Sequence, residues 1–138
     1  MSITGAKDLS GNILTVTRFP GTDPDVPDLP AQSDLNDVLS KPALMEFTIG
    51  LEGLHNIVHS WTGGTDGNIQ GTMNDIMYSP ADPIFWLHHA FVDRQWAVWQ
   101  QSHPGLMPEL AGPDRVLDPW SEIVDDAMSI SNLGYAYK

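Results

Sequence analysis

The chain has 138 residues, 41% of them hydrophobic and 17% charged, with no cysteine and a formal net charge of −12 at pH 7. That length suits a single domain able to bury most of the surface its unfolded chain exposes, and the hydrophobic share excludes a disordered protein. The missing cysteine excludes disulfides, zinc-thiolate clusters and thiol nucleophiles, and six scattered Lys and Arg residues against eighteen acids exclude a nucleic-acid partner.

In chain order, residues 1–32 read as an irregular lead-in, with one short strand at Ile13–Thr17. Pro20, Pro24, Pro27 and Pro30 follow, and four prolines in eleven positions exclude regular helix there. Ser33-Asp34 offers an N-cap for a short helix through Leu39, and Ser40-Lys41-Pro42 offers the start of a second. Leu44, Phe47, Leu51, Leu54 and Val58 recur at spacings of three and four, so one face of residues 43–60 is buried; Gly50 and Gly53 threaten to split the helix in two. The glycine-rich stretch 62–80 reads as a loop. Asp82-Pro83 caps a third helix of about twenty residues, ending before His103-Pro104-Gly105. Residues 104–138 read as irregular, with a short helix near 119–128. No apolar run reaches the ~20 residues of a membrane helix, so no membrane partner is expected. The N-terminus lacks the basic start and apolar core of a signal peptide, which makes the cytoplasm the default compartment.

Four of the five histidines form two groups, His55 with His59 and His88 with His89. Residues four apart on a helix share a face, with about 5–6 Å between their Cβ atoms, a spacing that suits chelation of one transition metal. His88 and His89 point about 100° apart, so one ligates and the other packs beside it. Periodicity does not decide which. Three histidines without cysteine, among Phe85, Trp86, Phe91, Trp96 and Trp99, suit copper better than calcium or magnesium, with zinc as the other choice.

The segments His55-Asn56-Ile57-Val58-His59, Trp61-Thr62-Gly63-Gly64 and Asp82-Pro83-Ile84-Phe85-Trp86-Leu87-His88-His89-Ala90-Phe91-Val92-Asp93-Arg94-Gln95-Trp96 resemble the second copper-binding half of the tyrosinase (polyphenol oxidase) family of type-3 copper proteins. Arg18-Phe19-Pro20-Gly21, Leu29-Pro30 and the closing Leu133-Gly134-Tyr135-Ala136-Tyr137 extend the resemblance over about residues 14 to 137. It implies copper as cofactor, with His55, His59 and His89 as ligands and His88 at a position that does not ligate. Asp93 matches a carboxylate just beyond the ligands, for which a helix salt bridge with Arg94 is the plainer reading. Phe85 matches an aromatic that packs on the copper histidines. Glu52 and Asn56 match a pair that holds a water and helps deprotonate a phenol, a general-base role. Ser60 matches a position shaping substrate access. Trp86, Trp96 and Trp99 are expected in the core, Met73 and Met77 as gap fillers near an entrance, and His103 as an exposed loop residue.

The resemblance further implies a mainly α fold: half of a four-helix bundle, a copper-bearing helix pair over 40–103 with long irregular loops and a covering segment over 104–138, within one domain spanning 1–138. Family enzymes use two coppers, and no histidine precedes residue 55. Two chains related by a twofold axis would rebuild the pair, since such an interface sets one surface against itself. Mutual repulsion of two acidic chains is screened within about 10 Å at ordinary salt. The implied activity is oxidation of o-diphenols (catechols) to o-quinones with O2, and monophenol hydroxylation beside it. The alternatives are a non-catalytic copper- or O2-binding protein, as hemocyanins are, and one subunit of a heteromeric enzyme. With Met1 at its start and an orderly lead-in, the chain is expected to be natural rather than cut from a longer one.

Overall fold

A computed structural model describes residues 2–7 and 10–137, in which the chain is mainly helical, as expected, and divides into two compact units, Met1–Val92 and Asp93–Lys138. The elements are β1 (Ser2–Lys7), β2 (Ile13–Thr15), α1 (Gln32–Leu39), α2 (Leu44–Gly63), β3 (Thr65–Asp66), β4 (Ile69–Gln70), α3 (Pro83–Ser102) and α4 (Val124–Ala127). The division falls within α3. Among the described residues, no helix is long and apolar enough to cross a membrane.

In the first unit, β2 occupies the start of the expected strand and pairs antiparallel with β1, which the glycine-containing Ser2–Lys7 sequence did not announce. The proline-rich stretch carries no regular structure. Helix α1 begins earlier than Ser33-Asp34 suggests: Ala31 is its N-cap, and Asp34 sits in the first turn, where its carboxylate accepts the Ala31 N–H at 2.7 Å. Ser40 likewise does not start α2. It closes α1, its hydroxyl donating to the Asp37 carbonyl, and α2 starts after Ala43.

Helix α2 runs unbroken for 20 residues through Gly50 and Gly53. Burial on one face outweighs the local cost of glycine: Phe47 and Leu51 are buried with Val38 of α1 and Met73. At Gly50 a Cβ would stand 3.0 Å from a Val38 methyl carbon, so the missing side chain is what lets α1 lie against α2. The expected 62–80 loop contains a small hairpin, β3 paired with β4, turning at Gly67 with φ of 59°. Two single-turn 3-10 helices follow, Thr72–Asn74 and Ser79–Ala81.

Helix α3 has the length and the start expected. Asp82 is fully buried, and its Oδ1 accepts the Ile84 N–H at 2.9 Å as the cap of α3. The same carboxylate receives a two-point fork from Arg18, Nε to Oδ2 at 2.7 Å and Nη2 to Oδ1 at 2.5 Å. Burial pushes the Asp82 carboxyl up. The hydrogen bonds from Arg18 and from the Ile84 N–H, with the Arg18 charge, outweigh it and hold the group below the usual carboxylate range.

In the second unit, Gln95, Ala97 and Trp99 of α3 are buried. Trp99 stacks on His103 at 4.3 Å between ring centroids, and His103 Nδ1 donates to the Trp99 carbonyl. His103 is therefore half-buried, not an exposed loop residue. The tail has a 3-10 turn at Gly112–Arg115, a bridge between Val116 and Ile123, and an Arg115–Asp125 ion pair. Helix α4 is a single turn of 4 residues, shorter than the stretch expected near 119–128.

Two stability predictions follow from the first unit. Asp82→Ala strands the Arg18 guanidinium and uncaps α3, and is expected to cost about 3 kcal/mol in urea unfolding, with Asp82→Asn costing less because it keeps an acceptor for Ile84. Gly53→Ala, whose Cβ would meet nothing within 4 Å, should stabilise α2 by about 0.5–1 kcal/mol, and Gly50→Ala should gain less because Val38 must shift.

Candidate metal centre

Helix α2 presents His55 and His59 one turn apart, and α3 brings His88 and His89 against them. His89 Nε2 lies 3.3 Å from His55 Nε2 and 3.3 Å from His59 Nε2, so three ring nitrogens converge. The far side of two of these rings is held by an acceptor. His59 Nδ1 donates to the Met73 carbonyl at 2.8 Å, and His55 Nδ1 donates to Asn56 Oδ1 at 3.0 Å. An acceptor at Nδ1 keeps the proton there and leaves Nε2 a bare lone pair, the state a metal requires.

His88 competes on distance alone, since the ligand atoms of His55, His59 and His88 lie within 4.8 Å of one another. Its Nε2 does not join the three that converge, so Nδ1 is the atom it could offer a metal. His88 Nε2 donates to the His55 carbonyl at 3.2 Å, and its ring stacks on His55 at 5.0 Å with planes 10° apart. His88 thus braces the ring beside it. Phe85 does the same for His89, stacked at 4.0 Å, and meets His59 edge-on at 5.8 Å.

Burial, followed by the mutual repulsion of the imidazoles, lowers the pKa of His55 and of His89; the neighbouring Glu52 charge opposes the shift at His55. The same two causes take His88 down to about 4. These shifts favour the neutral form of His55, His88 and His89. Neutral imidazoles with no carboxylate or thiolate among the converging atoms fit copper, and zinc as the second choice. They do not fit calcium or magnesium, which need oxygen ligands.

The remaining expected residues divide. Ser60 lines an open cavity of about 430 Å³ together with His55, His59, His89, Asn74 and Phe85. Glu52 and Asn56 are exposed on α2, one turn apart, and the Asn56 oxygen is engaged by His55. Asp93 makes no described salt bridge with Arg94. It lies in the second unit, where Oδ2 accepts from the Tyr135 hydroxyl at 2.8 Å and from the Tyr137 hydroxyl; that hydrogen bond, first among its causes, pushes Tyr137 up to about 12. Trp99 is in the core and Trp96 half-buried, but Trp86 is 64% exposed, its indole N–H reaching the Pro80 carbonyl. It starts a helix whose outer face is open. Met73 is buried at the cavity wall, whereas Met77 is exposed. Missed by sequence reasoning was the Met73 carbonyl, which as backbone leaves no signal in residue type; His88 was expected to pack beside a ligand, and the fold shows that its partner is His55.

Residues 11–102 match the family described as the common central domain of tyrosinase. The chain is 36% identical over 118 residues to tyrosinase from Streptomyces glaucescens, covering 70% of this chain and 40% of that protein. Hemocyanin 1 of Megathura crenulata is 37% identical over 102 residues, 68% of this chain and 3% of that protein. Among solved structures, a copper-bound mutant of Aspergillus oryzae active tyrosinase superposes with a TM-score of 0.62 at 25% identity, over 87% of this chain and 36% of that one. The chain thus spans about two fifths of the length of the tyrosinases it matches. Its histidine cluster is a group that could bind copper, its relatives are copper proteins, and the chain belongs to the tyrosinase family of type-3 copper proteins.

Proposed function

We propose that the chain is a copper-dependent oxidase that converts o-diphenols (catechols) to o-quinones with O2, and hydroxylates monophenols, at a two-copper site to which each of two identical chains gives His55, His59 and His89. The observation that carries this reading is the convergence of the three Nε2 atoms. Bound copper would supply the electron exchange between phenol and O2. The chain's own residues do the rest. Phe85 and His88 keep the rings of His89 and His55 in place, and the open cavity beside them has room for a phenol ring. Glu52, exposed one turn before Asn56, takes the phenol proton, and Asn56 holds His55 by its oxygen.

Support for a second copy comes from surface, and within these 138 residues the one further histidine, His103, is committed to Trp99. In the same unit as the cluster, Met45 and Ile49 of α2, Trp86 and Leu87 of α3, and Ile76 and Met77 of the loop between them are all more than 60% exposed. Exposed apolar side chains in this number are characteristic of an interface, and Ile76 among them lines the cavity beside the cluster.

The test is native mass spectrometry of the copper-loaded protein, followed by catechol oxidation. Two chains with two coppers and quinone formation are expected. His89→Ala should weaken copper binding by more than about 100-fold, and His88→Phe by about tenfold or less. One chain with one copper overturns the shared site, and activity that returns only with a different protein assigns the chain to a heteromer. The similarity to hemocyanin favours a second reading, a non-catalytic copper- or O2-binding protein; O2 uptake without catechol turnover would select it.

A pH dependence also follows. His88 titrates at about 4 in the folded protein against 6.5 for an unperturbed histidine. As pH falls from 6.5 towards 4, the unfolded chain binds a proton that the folded chain refuses, so stability drops. In the copper-free protein, thermal unfolding of a His88→Asn variant should therefore lose less stability across that window than the parent.

A further inference from the structure

The neutral ring of a free histidine prefers its proton on Nε2, which would place a hydrogen where a ligand lone pair is needed. His59 escapes this only through the Met73 carbonyl, and that carbonyl lies outside α2, in the 3-10 turn Thr72–Asn74. The direction of His59 is therefore only as definite as the position of this turn. The turn is held on two sides. On one side, the Thr72 N–H donates to the Thr17 carbonyl at 2.7 Å, and the Thr72 hydroxyl accepts the Thr17 N–H at 2.9 Å. On the other, the Gly71 N–H donates to the Gly64 carbonyl at 3.0 Å, and the turn lies so close to the end of α2 that a Cβ on Gly63 would strike the Asn74 backbone and one on Gly71 the Gly63 carbonyl. Thr72 and Met73 are both buried, which shields these bonds on the side of the turn.

We infer that Thr72, through its reciprocal pair with Thr17, is a positioning residue for the copper site: it fixes the Met73 carbonyl that selects the Nδ1–H tautomer of His59 and aims its Nε2. This rests on the reading of His59 as a ligand. Thr72 itself touches neither the cluster nor a substrate. Removing its hydroxyl leaves the Thr17 N–H without an acceptor and frees the turn to drift from His59.

The experiment uses the copper-free chain labelled with 15N at histidine. Long-range 1H–15N spectra report each ring's tautomer, and a Cu(II) titration followed by electron paramagnetic resonance reports affinity and coordination. The wild type should show His59 protonated at Nδ1. Thr72→Val should mix the His59 tautomers, weaken copper about tenfold and alter the Cu(II) spectrum, with Thr72→Ser restoring all three. Thr72→Ala, which removes the hydroxyl without adding bulk, serves if the valine variant does not fold. A wild-type His59 protonated at Nε2 overturns the inference. So do hydroxyl-free variants that lose stability but keep the wild-type tautomer and affinity. If His59→Ala leaves copper affinity intact, the ligand reading fails instead, and the tautomer measurement keeps the two failures apart.

Discussion

The metal centre depends on two consecutive residues that are neither ligands nor close to them in sequence. Thr17 pairs with Thr72, and so places the carbonyl that orients His59. Arg18 forks onto the buried Asp82, which caps the helix that delivers His89. One extended piece of chain thereby supports both halves of the cluster. An ion pair with one member fully buried is weak evidence for net stability, because desolvating the charges offsets much of their attraction. Here its value is directional: it fixes where α3 begins, and so which way His88 and His89 face.

Packing four imidazoles together is the cost the fold carries for this site. The half-buried rings of His55, His88 and His89 lose hydration, and a proton on one would repel the others, so these three favour the neutral form. At His55 the Asn56 hydrogen bond, and after it the Glu52 charge, pull towards protonation without overcoming burial and the repulsion from His59. The arrangement is primed for a cation that brings its own charge, which is why the two stacked partners, Phe85 and His88, are rings rather than acids.

Some of the molecule was legible because it obeys local rules. The three-and-four spacing of Leu44, Phe47, Leu51, Leu54 and Val58 foretold α2, and Asp82-Pro83 foretold the start of α3, since a helix period and a cap are written in adjacent residues. Where locality failed, tertiary contact was the reason. Gly50 reads as a breaker until Val38 is seen against it, and Ser33 and Ser40 read as caps until Ala31 and Ala43 take those positions. Trp86 reads as core because tryptophan usually is, yet it stands on the open side of α3.

Residue type and spacing alone pointed to the chemistry of this site: imidazoles on two helices, no cysteine, and an aromatic setting that suits copper. Nitrogen donors and helical periodicity are properties of a chain read one residue at a time. The preference for His89 over His88 came from the resemblance, and only the folded chain sets the two rings apart. Adjacent histidines on a helix are equivalent until something occupies one of them, and what occupies His88 is the carbonyl of His55, 33 residues away. The same holds for His59, whose usable lone pair is set by a backbone oxygen in a loop. Backbone carbonyls are identical in every residue, so only the fold can say which one a ring will meet.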